Sequence, residues 1–339
     1  MKIRAERFEL RRGIRSAALV VAPLAVGFAL GYIELSVLFT LGALNLLLVE
    51  APAPTLTRWR ALGLGTVANT LAFGAGTLLS HAPIDIEVPL AGVGIFVAFL
   101  FTRWPEWENV GFIAAVMFVF SLGIPVTNLT GEILRPFAIL SGGLWALFGV
   151  SLYRALTQPP FGRVRSKGGT PEPPAPPVRW RAAAPHAAIV GGTVAVGLLL
   201  GSQLGLARDY WIMLTIIVAL RLDLATTVAY SSARILGTVA GASVAFVITD
   251  ATQDPWILFP VLAAVTAMCF ATRSVNYTLY AMWITLTVIV LLNLAYSGGP
   301  ALAITRVVDT LIGGSLALLA AFTLWLTVHR PRGARAPPA

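Results

Sequence analysis

Two polar clusters interrupt an otherwise apolar chain, and their residue types suit the binding of anions and the transfer of protons. The first, ALRLDLATTVAYSSARILGTVAG (219–241), carries Arg221, Asp223, Thr227 and Arg234; the second, RVVDTLIGG (306–314), places Asp309 three residues after Arg306. A third run, RPFAILSGG (135–143), opens with Arg135. A guanidinium offers paired donors that fit a carboxylate in bidentate fashion. A carboxylate inside an apolar segment costs at least about 2.5–3.5 kcal/mol unless it is paired or wetted, so Asp309 beside Arg306 is a candidate for proton coupling. Asp223 and Thr227 are four residues apart and share a face where that segment is helical. Arg234 begins the helix that follows, and is a candidate either for holding an anion or for pairing with Asp223. Arg221 reads as an anchor whose head reaches lipid phosphate.

The elements that hold these side chains are set by composition. The 339 residues are 57% hydrophobic and 12% charged, with a mean hydropathy of +0.82. A soluble domain carries about twice that share of charge, so an integral membrane protein is predicted. Apolar runs fall near 16–33, 35–50, 61–80, 88–102, 110–124 and 136–154, and again near 186–204, 210–221, 235–249, 256–271, 277–295 and 305–328. Several reach only 14 to 16 residues, short against the roughly 20 that cross a hydrocarbon core. The expected fold is an all-α polytopic membrane helical bundle of about 12 transmembrane helices, or ten where short runs fail to cross.

Charge placement gives the orientation. The basic start MKIRAERFELRRGIR reads as an uncleaved anchor with its N-terminus in the cytoplasm. All but three of the 24 cations then fall inside, the exceptions being Arg135, Arg208 and Arg306. A Pro/Gly-rich basic linker over 158–184 separates membrane segments 1–157 and 185–330, with a cytoplasmic tail at 331–339. A net charge of +9 suggests nucleic acid in a soluble protein, but this topology excludes that partner. Cys269 stands alone, and His81, His186 and His329 are far apart in loops or at helix ends, so no metal and no cofactor is expected. P-loop, HExxH and GxSxG patterns and paired catalytic carboxylates are absent, and the chain is not expected to be an enzyme.

The two halves resemble each other in the same direction. AVGFALG (25–31) matches AVGLLLG (195–201), GTVAN (65–69) matches GTVAG (237–241), Thr102-Arg103 matches Thr272-Arg273, and RPFAILSGGLWAL (135–147) matches RVVDTLIGGSLAL (306–318), at offsets of 170 to 172. Four pairs in order at a near-constant offset predict two parallel six-helix repeats, related by an axis along the membrane normal with a substrate path between them. Symmetry then sets Arg135 and Arg306, each opening a terminal span, facing each other across that axis; the alternative is local pairing with Glu132 and Asp309. The pairs Gly27/Gly31, Gly197/Gly201 and Gly237/Gly241 read as faces for close helix packing.

The ordered set W-x-x-L-T (Trp211–Thr215), D-x-x-x-T (Asp223–Thr227), R-x-x-G-T-x-x-G (Arg234–Gly241) and R-x-x-D-T-x-x-G (Arg306–Gly313) resembles the fusaric acid resistance family. That family includes the aromatic carboxylic acid exporters of bacterial inner membranes, and its fold is related to the plant aluminium-activated malate channels. The resemblance is strongest over 186–328 and weaker over 8–154. Its long members carry a large cytoplasmic domain; only the short linker stands here, so the chain looks like the membrane core alone. The resemblance implies a proton-driven exporter of small organic, aromatic carboxylates in the inner membrane. A passive organic-anion channel and a non-transporting scaffold are the other readings. Expected partners are a small organic anion and the lipid bilayer, with homo-oligomers left open.

Overall fold

A computed structural model describes residues 7–50, 55–102, 107–124, 129–157, 180–206, 208–221, 223–296 and 298–329. Among them every regular element is helical: α1 (Leu10–Ala29), α2 (Ile33–Val49), α3 (Thr55–Leu79), α4 (Ile84–Phe101), α5 (Glu108–Leu122), α6 (Leu129–Thr157), α7 (Trp180–Gln203), α8 (Tyr210–Ala219), α9 (Leu224–Ala251), α10 (Pro255–Thr272), α11 (Tyr277–Tyr296) and α12 (Gly299–His329). Among the described residues nine helices are long and apolar enough to cross a membrane. The shorter three are α2, α5 and α8, with 17, 15 and 10 residues. At 1.5 Å per residue α8 covers about half of a 30 Å hydrocarbon core. The linker falls outside the described residues over 158–179, as does the tail at 331–339, and α7 already begins at Trp180.

Several helices start earlier than their apolar runs. α9 begins at Leu224 and not near 235, and α6 and α12 begin at Leu129 and Gly299, six or more residues ahead of theirs. Polar side chains account for α9 and α6, where Thr227, Ser231, Arg234 and Arg135 lower the hydropathy of turns that are nonetheless helical, and the Gly299-Pro300 start hides the first turn of α12. Arg234 therefore does not begin a helix but lies in the third turn of α9.

Burial separates two kinds of helix. α3, α4, α6, α9 and α12 expose large apolar side chains such as Leu71, Val93, Phe148, Val247 and Leu319. That surface suits lipid and not water. The short α5 and α8 and the central α11 instead bury most or half of their residues, and α2 is buried almost throughout Ser36–Leu47.

The pairing of helices in the first half recurs in the second when each label is shifted by six. α1 packs on α2 and α10, and α7 on α8 and α4; α3 packs on α5 and α6, and α9 on α11 and α12; α2 packs on α6, and α8 on α12. Close approach at these seams needs small residues. Gly237 and Gly241 of α9 lie against α11, where an added Cβ would meet the Thr278 and Met282 carbonyl oxygens. Gly197 lies against Ile212 and Ile216, Gly201 against Asp209, and Gly27 against Ser36. Gly31 is different from the packing role read for it: it lies past the end of α1 with φ +81° and nothing near its missing Cβ, so it serves the turn into α2.

Candidate functional site

Where the two halves meet, α2, α5, α8, α9, α11 and α12 enclose a cavity of about 720 Å³, within the size range of small-molecule sites. One wall is apolar and comes from the first half: Leu41, Leu44 and Leu48 of α2, and Phe112, Val116, Met117 and Phe120 of α5. Polar residues of the first half also line it, namely Thr102, Glu108, Asn109 and the buried Asn45, whose Nδ2 donates to the Leu41 carbonyl at 3.0 Å. The other wall is cationic and aromatic and comes from the second half: Arg221, Arg234, Arg273 and Arg306 with Trp211, Tyr230, Tyr277 and Tyr280. Four arginines against the carboxylates of Glu108 and Asp223 leave the lining net positive.

The charge is graded along the cavity. At the face that carries the N-terminus, the exposed Asp223, Glu108 and Asn109 mark where the cavity meets the surface. There the Arg221 guanidinium stacks 4.3 Å over the Tyr230 ring, whose centroid is 4.9 Å from that of Tyr277. The same face is tied together by the Arg15–Glu50 ion pair and by Glu9 N–H donating to the Ala271 carbonyl. Further in, Arg234 is 6% exposed and its Nε has no acceptor. The Tyr277 hydroxyl sits beside it, buried and without a hydrogen bond of ordinary geometry. Deepest lies Arg306, 4% exposed, stacked 4.9 Å over the buried Trp211 ring, with Nε and Nη1 unpartnered. The Arg234 charge bears on it across the cavity. Buried guanidinium nitrogens without acceptors are costly, and two arginines that line a cavity with such nitrogens suit it to hold an anion.

The residues singled out by sequence separate into different places. Arg234 and Arg306 line the cavity. Arg135 does not face Arg306: it is half-buried outside the lining, and its Nη1 donates to the Ile124 carbonyl at 3.0 Å. The repeat fixed its position along the chain but not the face of α6 from which it projects. Asp223 lies in extended backbone as the N-cap of α9, accepting from Thr226 N–H at 2.7 Å, so it shares no helix face with Thr227. The Thr226 hydroxyl and N–H hold its carboxyl below the usual carboxylate range. Thr227 is fully buried in the first turn, where its Oγ1 accepts from Arg221 N–H at 3.0 Å and donates to the Asp223 carbonyl at 2.9 Å. No ion pair joins Arg234 to Asp223 among the described residues. Asp309 is wholly buried beside Arg306.

Sequence reasoning missed Arg273, Tyr230, Tyr277, Tyr280 and His186. His186 lies buried in α7 on the cavity wall, 6.0 Å from the Phe99 ring, and not in a loop. A signal was present in the tyrosines: Tyr230 stands four residues before Arg234, and Tyr277 three before Tyr280. Both spacings put the pair on one helix face. Among the described residues no His/Cys/Asp/Glu group could hold a metal ion.

Comparison with known proteins finds partial matches. An uncharacterized protein, ORF2, of Neisseria gonorrhoeae is 31% identical over 140 residues, covering 41% of this chain and 34% of that protein. Inner membrane protein YccS of Escherichia coli strain K12 is 29% identical over 140 residues, covering 41% of this chain and 19% of that protein. The match thus takes in about a third or less of each relative's length. No solved structure matches the chain significantly. The model of the fusaric acid resistance protein-like family matches residues 193–320, the family that the ordered motifs resemble, and the matched region contains α8 to α11 and both buried cavity arginines.

Proposed function

We propose that the protein is a transporter that exports small organic anions, aromatic carboxylates foremost, coupled to the proton gradient across the inner membrane. The observation that carries the reading is the division of the cavity into an apolar wall from the first half and an arginine- and tyrosine-lined wall from the second. A molecule with a flat apolar body and one anionic group matches both walls at once, the ring against Leu44 and Val116 and the carboxylate against a guanidinium. The excess of arginine and lysine at the face carrying the N-terminus supports a cytoplasmic N-terminus and two parallel repeats. In that orientation the cavity meets the cytoplasm at Asp223 and ends toward the other side at Trp211 and Arg306. A single deep station closed at one end suits a carrier better than a continuous anion channel.

The reading is tested by binding to the purified protein in lipid nanodiscs, followed by quenching of tryptophan fluorescence. 4-Hydroxybenzoate is expected to bind saturably and to displace benzoate, whereas 4-hydroxybenzylamine, of similar shape but opposite charge, binds at least about 100-fold more weakly because it meets four guanidiniums. Equal binding of the amine and the acid would overturn the anion reading.

A further inference from the structure

Two charged side chains of α12 stand in the interior of the bundle with polar atoms that make no hydrogen bond. Asp309 is 0% exposed, and neither of its oxygens accepts a hydrogen bond; Arg306, three residues earlier, has two nitrogens in the same condition. No ion pair joins them among the described residues. An ionised carboxylate does not persist alone in such a place: it holds a proton or it pairs with a cation. Arg306 is the cation within reach.

The surroundings of Asp309 supply a route for that proton. Gly313, one turn further along α12, packs on α8, where an added Cβ would stand 2.8 Å from Thr215 Cβ and close to the Ile212 carbonyl. One turn back on each helix brings Asp309 beside Asp209, the N-cap of α8, and the two carboxylates act on each other. Asp209 rests against Gly201 of α7. α4 packs along α7, and Glu87 in its first turn is coupled electrostatically to Asp209. Burial of these groups increases in steps: Glu87 and Asp209 are half-buried and Asp309 is enclosed. The other charged and titratable groups that bear on Arg306 are Arg234 from α9, Tyr210 from α8 and Tyr277 from α11. Arg208 is occupied with the Tyr210 hydroxyl and the Trp211 and Tyr296 rings.

We infer that Asp309 is a proton-binding site, reached through Glu87 and Asp209 from the face opposite the N-terminus, and that its proton decides whether Arg306 is free to hold the transported anion. The inference rests on the proposed transport of organic anions and gives that site its coupling. With Asp309 ionised, its charge offsets that of Arg306 and weakens the hold of this guanidinium on an incoming carboxylate. With Asp309 protonated, Arg306 and the carboxylate form a neutral pair. Proton and anion therefore bind cooperatively, and each raises the affinity of the other by the same factor. The proton passes as such, from the Glu87 and Asp209 carboxyls to the Asp309 carboxylate, with no change of oxidation state. Burial, opposed by the Tyr210 N–H, pushes the Asp209 carboxyl up to about 6, where it takes up and releases protons near neutral pH. A proton and an anion that move together carry no net charge, so the direction is set by the product of their two concentration ratios: an inward proton gradient opposes export, which proceeds when the anion ratio from inside to outside exceeds the proton ratio from outside to inside.

The test uses the full chain in nanodiscs with 4-hydroxybenzoate as the probe. Wild-type affinity is expected to fall about tenfold or more between pH 6 and pH 8, one linked proton giving at most about tenfold per pH unit. Asp309→Asn, close to isosteric and free of the buried charge, is expected to keep tight binding that changes less than about twofold over that range. Asp209→Asn is expected to retain the pH-dependent binding but to slow proton movement, read by a pH dye trapped in proteoliposomes. A wild-type curve that is flat, or an Asp309→Asn curve that follows the wild type, overturns the inference. Infrared spectroscopy without any substrate gives a separate readout: a protonated-carboxyl band that titrates in the wild type and is missing from Asp309→Asn. Its presence with no anion binding at any pH leaves the proton site standing and removes the transport reading; its absence removes the proton site.

Discussion

Replacing Arg306 with Gln is expected to weaken 4-hydroxybenzoate binding about 100-fold, the equivalent of roughly 3 kcal/mol for two charge-assisted hydrogen bonds. Replacing Arg135, its counterpart by sequence, is expected to change binding by less than about twofold. The contrast follows from placement: Arg306 is buried on the cavity wall over Trp211, while Arg135 is half-buried outside it and donates to the Ile124 carbonyl. Arg306→Gln should fold at least as well as the wild type, because it removes a buried cation whose Nε and Nη1 lack acceptors. Binding isotherms beside size-exclusion profiles in detergent check both halves of this statement. Equal losses in the two variants would place the anion on the axis between the arginines and not in the cavity.

The second large effect concerns the seam between α9 and α11, which carry much of the cationic wall. Gly241 lies where a Cβ would collide with the Met282 carbonyl oxygen and press on Thr285, and both are parts of a packed helix pair with no flexible side chain to yield. Gly241→Val is expected to cost about 2–3 kcal/mol by overpacking and to lower the melting temperature and the folded yield together. Gly192, in α7, has nothing within 4 Å of its missing Cβ and faces outward. Gly192→Val is therefore expected to leave stability within about 0.5 kcal/mol of the wild type. Thermal melts of the two variants in one detergent give the comparison, and equal tolerance of both would mean that the α9–α11 seam is looser than its geometry.

Much of the architecture could be read before any coordinates. The alternation of apolar runs gave twelve helices because lipid demands long apolar segments, and the ordered motifs resemble the family whose model matches 193–320. What hydropathy hid was the length of α9, since Thr227, Ser231 and Arg234 look like loop residues until their turns are seen to be helical and buried. The site was legible in part. Arg234 and Arg306 stood out as charges in apolar surroundings, and both line the cavity. Arg135 misled because a repeat fixes position along a helix but not the face from which a side chain projects. Tyr230, Tyr277 and Tyr280 passed unnoticed because an aromatic at helical spacing in an apolar run looks the same whether it fills a core or lines a cavity. Asp209 was hidden for another reason: its relation to Asp309 arises from the packing of α8 on α12, which no local pattern encodes.

The central claim, that organic anions cross by a single station at Arg306, is tested most directly by counterflow. Proteoliposomes loaded with unlabelled 4-hydroxybenzoate would be diluted into a trace of the labelled compound, and the label inside followed over time. A carrier with one alternating site predicts a transient accumulation of label above its external concentration in the wild type, and none in Arg306→Gln. Label that only equilibrates, or that accumulates equally well in Arg306→Gln, would contradict it.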